Sequence, residues 1–354
     1  MRAGNFGLED QVVFPNRNLY TAPIHFWRFA MVHPVSVRVL ILCSLLLVTT
    51  VNGAPPNMAE RLGYAPGTRL LIIHADDVGL SDELNRATFT ALKAGGISSL
   101  GLMVPADGFQ DVKRLYSKMK DKPDVGVHFT LTSDWNNAGW KSLAHRNQVP
   151  TLLNQGGFFW STPDLVFKNG DPSEVKKEIT AQLQAALNSG FEISHVDSHM
   201  GVLYFDSRFL TELITVATQF GVTPTLTRWS DVGETLDAEI MKPYNSVVDT
   251  YSAKGGIVLD SLYTEVEGTT VEERRKSYYR LFKNLKPGLS ELLVDLAYDS
   301  ETFSSLTKDS PYRLHYQDHE IFSDPKTIAL LREEKIQLTS WKELRERAKK
   351  QRSR

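Results

Sequence analysis

The chain has 354 residues, enough for one large barrel-type domain or two smaller ones. Its 42% hydrophobic and 23% charged content suit a folded protein with a sizeable core, and a net charge of −2 gives no reason to expect nucleic acid or an acidic membrane as a partner. The lone cysteine, Cys43, excludes an intrachain disulfide and a cysteine-based zinc site.

Cys43 lies in the apolar run Val39 to Val51, preceded by Arg38 and followed by Asn52-Gly53-Ala54-Pro55. A cation, an apolar run too short for the roughly 20 residues of a membrane span, and small residues at the exit describe a secretory signal over about residues 31–53. On that reading Met31 is the true start, residues 1–53 are leader and signal, and the protein is secreted or periplasmic. The rival is a retained signal-anchor, the single membrane attachment expected. Residues 54–67 read as a linker, 68–345 as the domain, and 346–354 as a basic, solvated tail.

From residue 68 the pattern alternates strand and helix. Leu71-Ile72-Ile73 is a buried strand that stops at His74-Ala75-Asp76-Asp77-Val78-Gly79, and Ser81 caps a helix ended by Gly95-Gly96. Ile97 to Val104 is a second strand, Asp107 to Lys120 a helix, and Asp124 to Leu131 a third strand carrying His128. An irregular stretch, 133–171, holds Trp135, Trp140 and Trp160. Asp171-Pro172 opens a helix that ends near Gly190, Glu192 to Asp197 is a fourth strand, and a helix spans Ser207 to Phe220. Thr223 to Thr227 and the weaker Gly256 to Asp260 are the fifth and sixth strands. Thr270 and Glu273 form a capping box before a helix ending at Pro287-Gly288, and Glu291 to Tyr298 is another strand. Asp324-Pro325 opens a late helix, and Ile336 to Thr339 is a last strand. Repeated units of this number fit an α/β fold, a parallel (β/α) barrel of seven to eight strands, complete or not.

Three sets of metal-type residues fall at the ends of separate strands, where ligands bind in such folds: Asp76 and Asp77, then His128, then His195-Val196-Asp197-Ser198-His199. Residues two apart in a strand point the same way, so His195, Asp197 and His199 share a face. Imidazoles with a carboxylate are the usual ligands of an open catalytic site holding zinc or another divalent ion. Each piece alone has a plainer reading. His128 suits a packed strand histidine, and the acidic pair suits a magnesium-binding phosphoacceptor domain, although such domains are much shorter. Together they predict a metal site at the carboxyl ends of the strands.

His74-Ala75-Asp76-Asp77-Val78-Gly79, Val127-His128-Phe129-Thr130-Leu131 and His195-Val196-Asp197-Ser198-His199-Met200 resemble, in order, three motifs of the YdjC-like carbohydrate deacetylases. The resemblance runs from about Arg69 to Ile336-Gln337-Leu338 and Trp341. It implies a distorted (β/α) barrel, removal of acetyl groups from N-acetylated sugars or oligosaccharides, and one divalent metal ion, Mg2+ or Zn2+. It also implies that Asp77, His128 and His199 ligate the metal, with Asp76 as general base by analogy with the wider polysaccharide deacetylases.

Amide hydrolysis needs an activated water, an electrophile for the carbonyl and an acid for the departing amine. Metal and Asp76 supply the first two. For the third, the family's histidine is replaced by Asp295 in Leu293-Val294-Asp295. Either burial or a neighbouring carboxylate raises its pKa, or His74 or His195 takes over, or catalysis is weak; equally, Asp295 orients a ligand histidine. Asp197 is expected to support His195 or His199 by a hydrogen bond. His74 otherwise fills the barrel interior. Trp135, Trp140 and Trp160 either stack on sugar rings or pin their loop. Arg228-Trp229, after the fifth strand, could meet substrate although nothing local requires it, and His145, His315 and His319 are expected at the surface. The alternatives are a metal-dependent hydrolase of another amide or ester, and a non-catalytic glycan-binding protein of the same fold. Oligomeric state is not legible.

Overall fold

The computed structural model describes residues 55–135, 139–228, 238–306 and 316–352. The signal segment with Cys43, Trp229, His315 and the last two residues of the tail lie outside the described residues. Among the described residues no helix is long and apolar enough to cross a membrane.

The strand β1 (Arg69–Val78) is the centre of the sheet. It pairs in parallel with β7 (Gly288–Val294) along one edge. Its other edge is shared: Arg69, Leu70 and Leu71 pair with β8 (Ile336–Leu338), and His74 to Val78 pair with β2 (Ser99–Leu102). Outward from β2 follow β3 (Asp124–Phe129), β4 (Ile193–Ser198) and β5 (Thr223–Pro224), while β6 (Ser261–Tyr263) lies beyond β7. All eight strands are parallel, and the bridge Thr227 to Leu259 links the outer ends of the curled sheet. This is the distorted parallel barrel. Strands buried on both faces explain why β1, β2 and β3 read as unbroken apolar runs rather than alternating ones.

Local signals placed most helices. Ser81 caps α2 (Asp82–Ala94), accepting from the Leu84 amide, and Asp171 caps α5 (Pro172–Asn188), accepting from Ser173. Between them lie α3 (Phe109–Lys118) and α4 (Pro163–Asn169), the latter an unforeseen helix inside the stretch read as irregular. The helix α6 (Ser207–Phe220) has the expected bounds. The next, α7 (Ala238–Ala253), was not legible because Pro243 sits inside it. Thr270 caps α8 (Val271–Asn284), but the Glu273 carboxylate turns back to Thr269 rather than Thr270, and the helix ends before Pro287. Short helices α9 (Glu301–Leu306) and α10 (His319–Phe322) precede α11 (Pro325–Glu333). His319 is half-buried against the Tyr298 ring, 4.8 Å away, rather than at the surface; His145 is exposed as expected.

The sixth strand is displaced from 256–260 to β6. The Asp260 carboxylate explains it, for it accepts hydrogen bonds from the Met58 and Leu289 amides, so that the ladder with β7 begins only after Asp260. Met58 starts α1 (Met58–Arg61), whose Met58 and Ala59 are buried in the core.

The chain closes with α12 (Trp341–Arg352), one unbroken helix across residues 345 and 346. The Asp124 carboxylate accepts from the Trp341 and Lys342 amides, capping it. Its arginines donate to carbonyls at the ends of other helices: Arg345 to Gly221, Arg347 to Leu62 and Gly63, and Arg352 to Gly255. Trp341 is fully buried and its indole N–H donates to Glu291 Oε1 at 2.8 Å. Trp341→Ala is therefore expected to cost about 3–5 kcal/mol, measured by urea unfolding, because it opens a cavity and strips Glu291 of its donor.

Candidate metal centre

Adjacent side chains of a regular strand face opposite ways, so Asp76 and Asp77 could not both reach one site. The β1–β2 register slips between Ala75 and Val78, and Asp77 takes a left-handed backbone angle, φ 59°, rare for a residue with a side chain. The Gly79 amide beyond it donates to Asn85 Oδ1 on α2, which holds the turn. As a result Asp76 Oδ1 lies 3.8 Å from His128 Nδ1 while Asp77 Oδ1 lies 3.3 Å from His128 Nε2. Both carboxyls reach the same imidazole.

Asp77 Oδ1, His128 Nε2 and His199 Nδ1 converge within 4.8 Å of one another. The His199 nitrogen is 2.9 Å from Asp77 Oδ1. None of these approaches is aligned as a hydrogen bond, and Asp77 Oδ1 is buried without a hydrogen-bond partner. The far nitrogens are occupied: His128 Nδ1 meets Asp197 Oδ1 at 2.8 Å, and His199 Nε2 meets Asp134 Oδ1 at 2.9 Å. A carboxylate behind each imidazole holds a proton on the far nitrogen, so the inward nitrogen is the one that would give up its proton to ligate a metal. Three convergent donors of this kind, all buried, fit a divalent cation.

The charges of the site hold one another. Against the cost of burial, His199 and His128 keep the Asp77 carboxyl far below the usual carboxylate range. Against the same cost, Asp134 and Asp77 raise His199 to about 10, and Asp197 and Asp76 raise His128 well above the ordinary imidazole range.

The other sequence-derived residues divide into two groups. His74, Asp76 and Asp197 form a second cluster beneath the first, with His74 Nε2 3.1 Å from both Asp76 Oδ1 and Asp197 Oδ2. Asp197 thus holds His128 and His74, not His195 or His199. The β3–β4 register pairs His128 with Asp197, putting them on one face. His195 lies deeper, stacked on Trp341 at 5.8 Å. Asp295 is partly exposed just past β7, where burial, Asp77 and Asp76 push its carboxyl well above the usual range. Arg228 stands apart, exposed and paired with Asp249 at 2.7 Å. Trp140 is buried edge-on to His199, Trp160 donates to the Thr151 carbonyl, and Trp135 packs half-buried on Phe303 and Tyr316; these contacts pin the loop.

Sequence reasoning missed Asp134, whose only signal was its place just past the third strand, and Ser99 and Glu291 in the interior. It also missed two glycines that make room for imidazoles. A Cβ on Gly101 would fall 2.9 Å from His74 Nε2, and one on Gly126 only 2.3 Å from His195 Nε2.

The model of the family described as YdjC-like protein matches residues 70–333. A carbohydrate deacetylase of Thermus thermophilus is 32% identical over 147 residues, 42% of this chain and 49% of that protein. One from Brevibacillus brevis is 31% identical over 129 residues, 36% and 48% of the two chains. The chain thus spans about half the length of these relatives. One from Thermoanaerobacter pseudethanolicus is 25% identical over 277 residues, 77% of this chain and 98% of its own. A crystal structure from Enterococcus faecalis V583, named for cellobiose-phosphate cleavage, superposes with a TM-score of 0.63 over 78% of this chain and 99% of that one at 20% identity, a likeness of fold.

A cation must displace protons from His128 and His199, which are raised in its absence. Affinity for Zn2+ or Mg2+ is therefore expected to rise with pH through the neutral range, by about tenfold per unit for each proton displaced. Titration calorimetry in buffers of different ionisation heat reads those protons directly. Asp77→Asn should weaken binding without unfolding the protein.

Proposed function

The chain belongs to the YdjC-like family, and from that premise we propose that it is a hydrolase that removes acetyl groups from N-acetylated sugars or oligosaccharides with one divalent ion, Mg2+ or Zn2+. The convergence of Asp77, His128 and His199 on a buried, unpartnered carboxylate oxygen, with Asp76 beside them, carries the reading. Export, on the strength of residues 31–53, belongs to the same proposal.

Asp77 Oδ1, His128 Nε2 and His199 Nδ1 would hold the ion, which when bound polarises the acetyl carbonyl and lowers the pKa of water. The chain's own groups do the rest. Asp134 and Asp197 hold the two ligand imidazoles by their far nitrogens, so neither ring turns when substrate enters. Asp76 takes the proton of the attacking water. Burial and the Asp77 and Asp76 charges raise the Asp295 carboxyl, the direction an acid for the departing amine needs. A carboxyl that stays protonated near neutrality can give that proton to the departing amine, the task a histidine would otherwise perform.

Acetate release from N-acetylglucosamine oligomers is the direct assay. It should vanish with a chelator and in Asp77→Ala or His128→Ala, and kcat should fall by about a hundredfold or more in Asp76→Asn and in Asp295→Asn. Activity surviving in the first two variants would remove the assignment. Turnover of simple esters or other amides but not acetylated sugars would move it to another substrate class. Retained metal and sugar affinity with no turnover would make the protein a glycan-binding one.

A further inference from the structure

Below the metal centre a line of buried polar groups runs down the barrel axis, and most of it is not needed to ligate anything. His74 Nδ1 lies 2.9 Å from Ser99 Oγ, and Ser99 Oγ lies 3.3 Å from His195 Nε2. His195 Nδ1 lies 2.7 Å from Ser194 Oγ, and Ser194 Oγ reaches the Val125 carbonyl oxygen at 3.2 Å. His74 and His195 are fully shielded from solvent. These groups come from β1, β2, β4 and β3, so the line crosses four strands.

The last link sets the direction of every other. A carbonyl oxygen only accepts, so the Ser194 hydroxyl donates to Val125, and Ser194 Oγ must accept from His195 Nδ1–H. His195 Nε2 then has a lone pair and accepts the Ser99 hydroxyl proton. Ser99 Oγ, having given its proton to His195, accepts from His74 Nδ1–H. At its other nitrogen His74 stands midway between two carboxylate oxygens, Asp76 Oδ1 and Asp197 Oδ2, which offer no proton in their ionised state. Neither approach is aligned as a hydrogen bond, so a proton on Nε2 is held there by the charge of the two flanking oxygens, while Nδ1–H donates to Ser99.

We propose that His74 is a positioning residue, held as a permanent imidazolium cation by this one-way hydrogen-bond chain so that it fixes both the base Asp76 and, through Asp197, the ligand His128. The inference rests on the hydrolase reading for the role of Asp76, while the charge on His74 does not. The groups facing His74 are Asp76, Asp197, His195, Ser99 and Glu291 Oε1, 4.0 Å from Nδ1. Burial pushes Glu291 up to about 8, leaving its carboxyl neutral at pH 7, so the cation is balanced from the side of the two aspartates. The titration directions agree. Against burial, Asp197 and Asp76 hold His74 well above the ordinary imidazole range; burial, aided by the His74 charge, depresses His195 to about 4.

The consequence is geometric. Pinning Asp76 by Oδ1 leaves its second oxygen for the water proton, and pinning Asp197 by Oδ2 leaves Oδ1 for His128. Without the cation, Asp76 and Asp197 repel across the space that His74 Nε2 occupies.

Long-range 1H–15N correlation spectra of histidine-labelled full-length protein, metal-free and with Zn2+, test the charge independently of any activity. Two protonated nitrogens on His74, with His195 neutral and carrying its proton on Nδ1, support the proposal. A neutral His74, or a His195 with its proton on Nε2, overturns it. Ser99→Ala removes the acceptor of His74 Nδ1–H. Its expected effect is a kcat lower by about tenfold to a hundredfold with KM little changed, altered His74 signals, and recovery in Ser99→Thr. Unchanged His74 signals and kcat in Ser99→Ala would also overturn the proposal, and should that variant fail to fold the wild-type spectra alone decide. Protonation as proposed in a protein that never releases acetate would sink the hydrolase reading and leave the cation standing.

Discussion

Buried carboxylates must be matched by something positive, and this requirement governs the upper half of the barrel. Asp76, Asp77 and Asp197 lie together at one end of the sheet, with Asp134 and Asp295 at its rim and Glu291 beneath. An ion removed from water without a partner costs several kcal/mol even after relaxation. The structure meets this by interleaving, since His74, His128 and His199 each bring nitrogens within about 3.3 Å of two carboxylates. Where burial outweighs the nearby positive charge, the carboxyl is raised, as at Glu291 and Asp295. Acids of two kinds therefore coexist a few ångströms apart, and the balance between burial and imidazole contact decides which kind an acid is.

That arrangement dictates features of the backbone that have no other use. The slip in the β1–β2 register and the left-handed Asp77 bring both members of an adjacent pair inward. Met200, directly after His199, is also left-handed, φ 53°, and turns the chain just past that histidine. Gly101 and Gly126 leave β2 and β3 without side chains where His74 and His195 cross them. Each departure forfeits some backbone stability, and the close packing of the surrounding strands over-determines the conformation enough to hold it.

What the sequence made legible follows from the range of each interaction. The β1–α2 unit was readable from end to end because the Ser81 cap, the apolar spacing and the Gly95 stop are all local. Asp77, His128 and His199 were readable as a set because each closes a strand, and parallel strands bring their carboxyl ends to one side. Asp134 was not, since it sits in an aperiodic loop and its partner His199 lies 65 residues further along the chain. The partner of Asp197 was misjudged for a related reason. Alternation along β4 shows which face Asp197 takes, but only the register against β3 places it beside His128, and register is a property of two strands. The sixth strand slipped because Asp260 is claimed by amides from α1 and β7, a tertiary contact that no propensity encodes.

The same electrostatics suits the proposed centre both without an ion and with one. In the metal-free protein His128 and His199 carry protons, so two unit charges face Asp77, Asp134 and Asp197 from within the site. A divalent ion entering among the three donors must expel those two protons, because a ligating nitrogen needs its lone pair. Two positive charges would leave as one doubly charged ion arrived, which would keep the balance seen by the surrounding carboxylates. His74 lies outside the Asp77, His128 and His199 set, under Asp76 and Asp197. The paired charges thus already form a complete frame around the three convergent donors, in which an ion would take the place of the two protons.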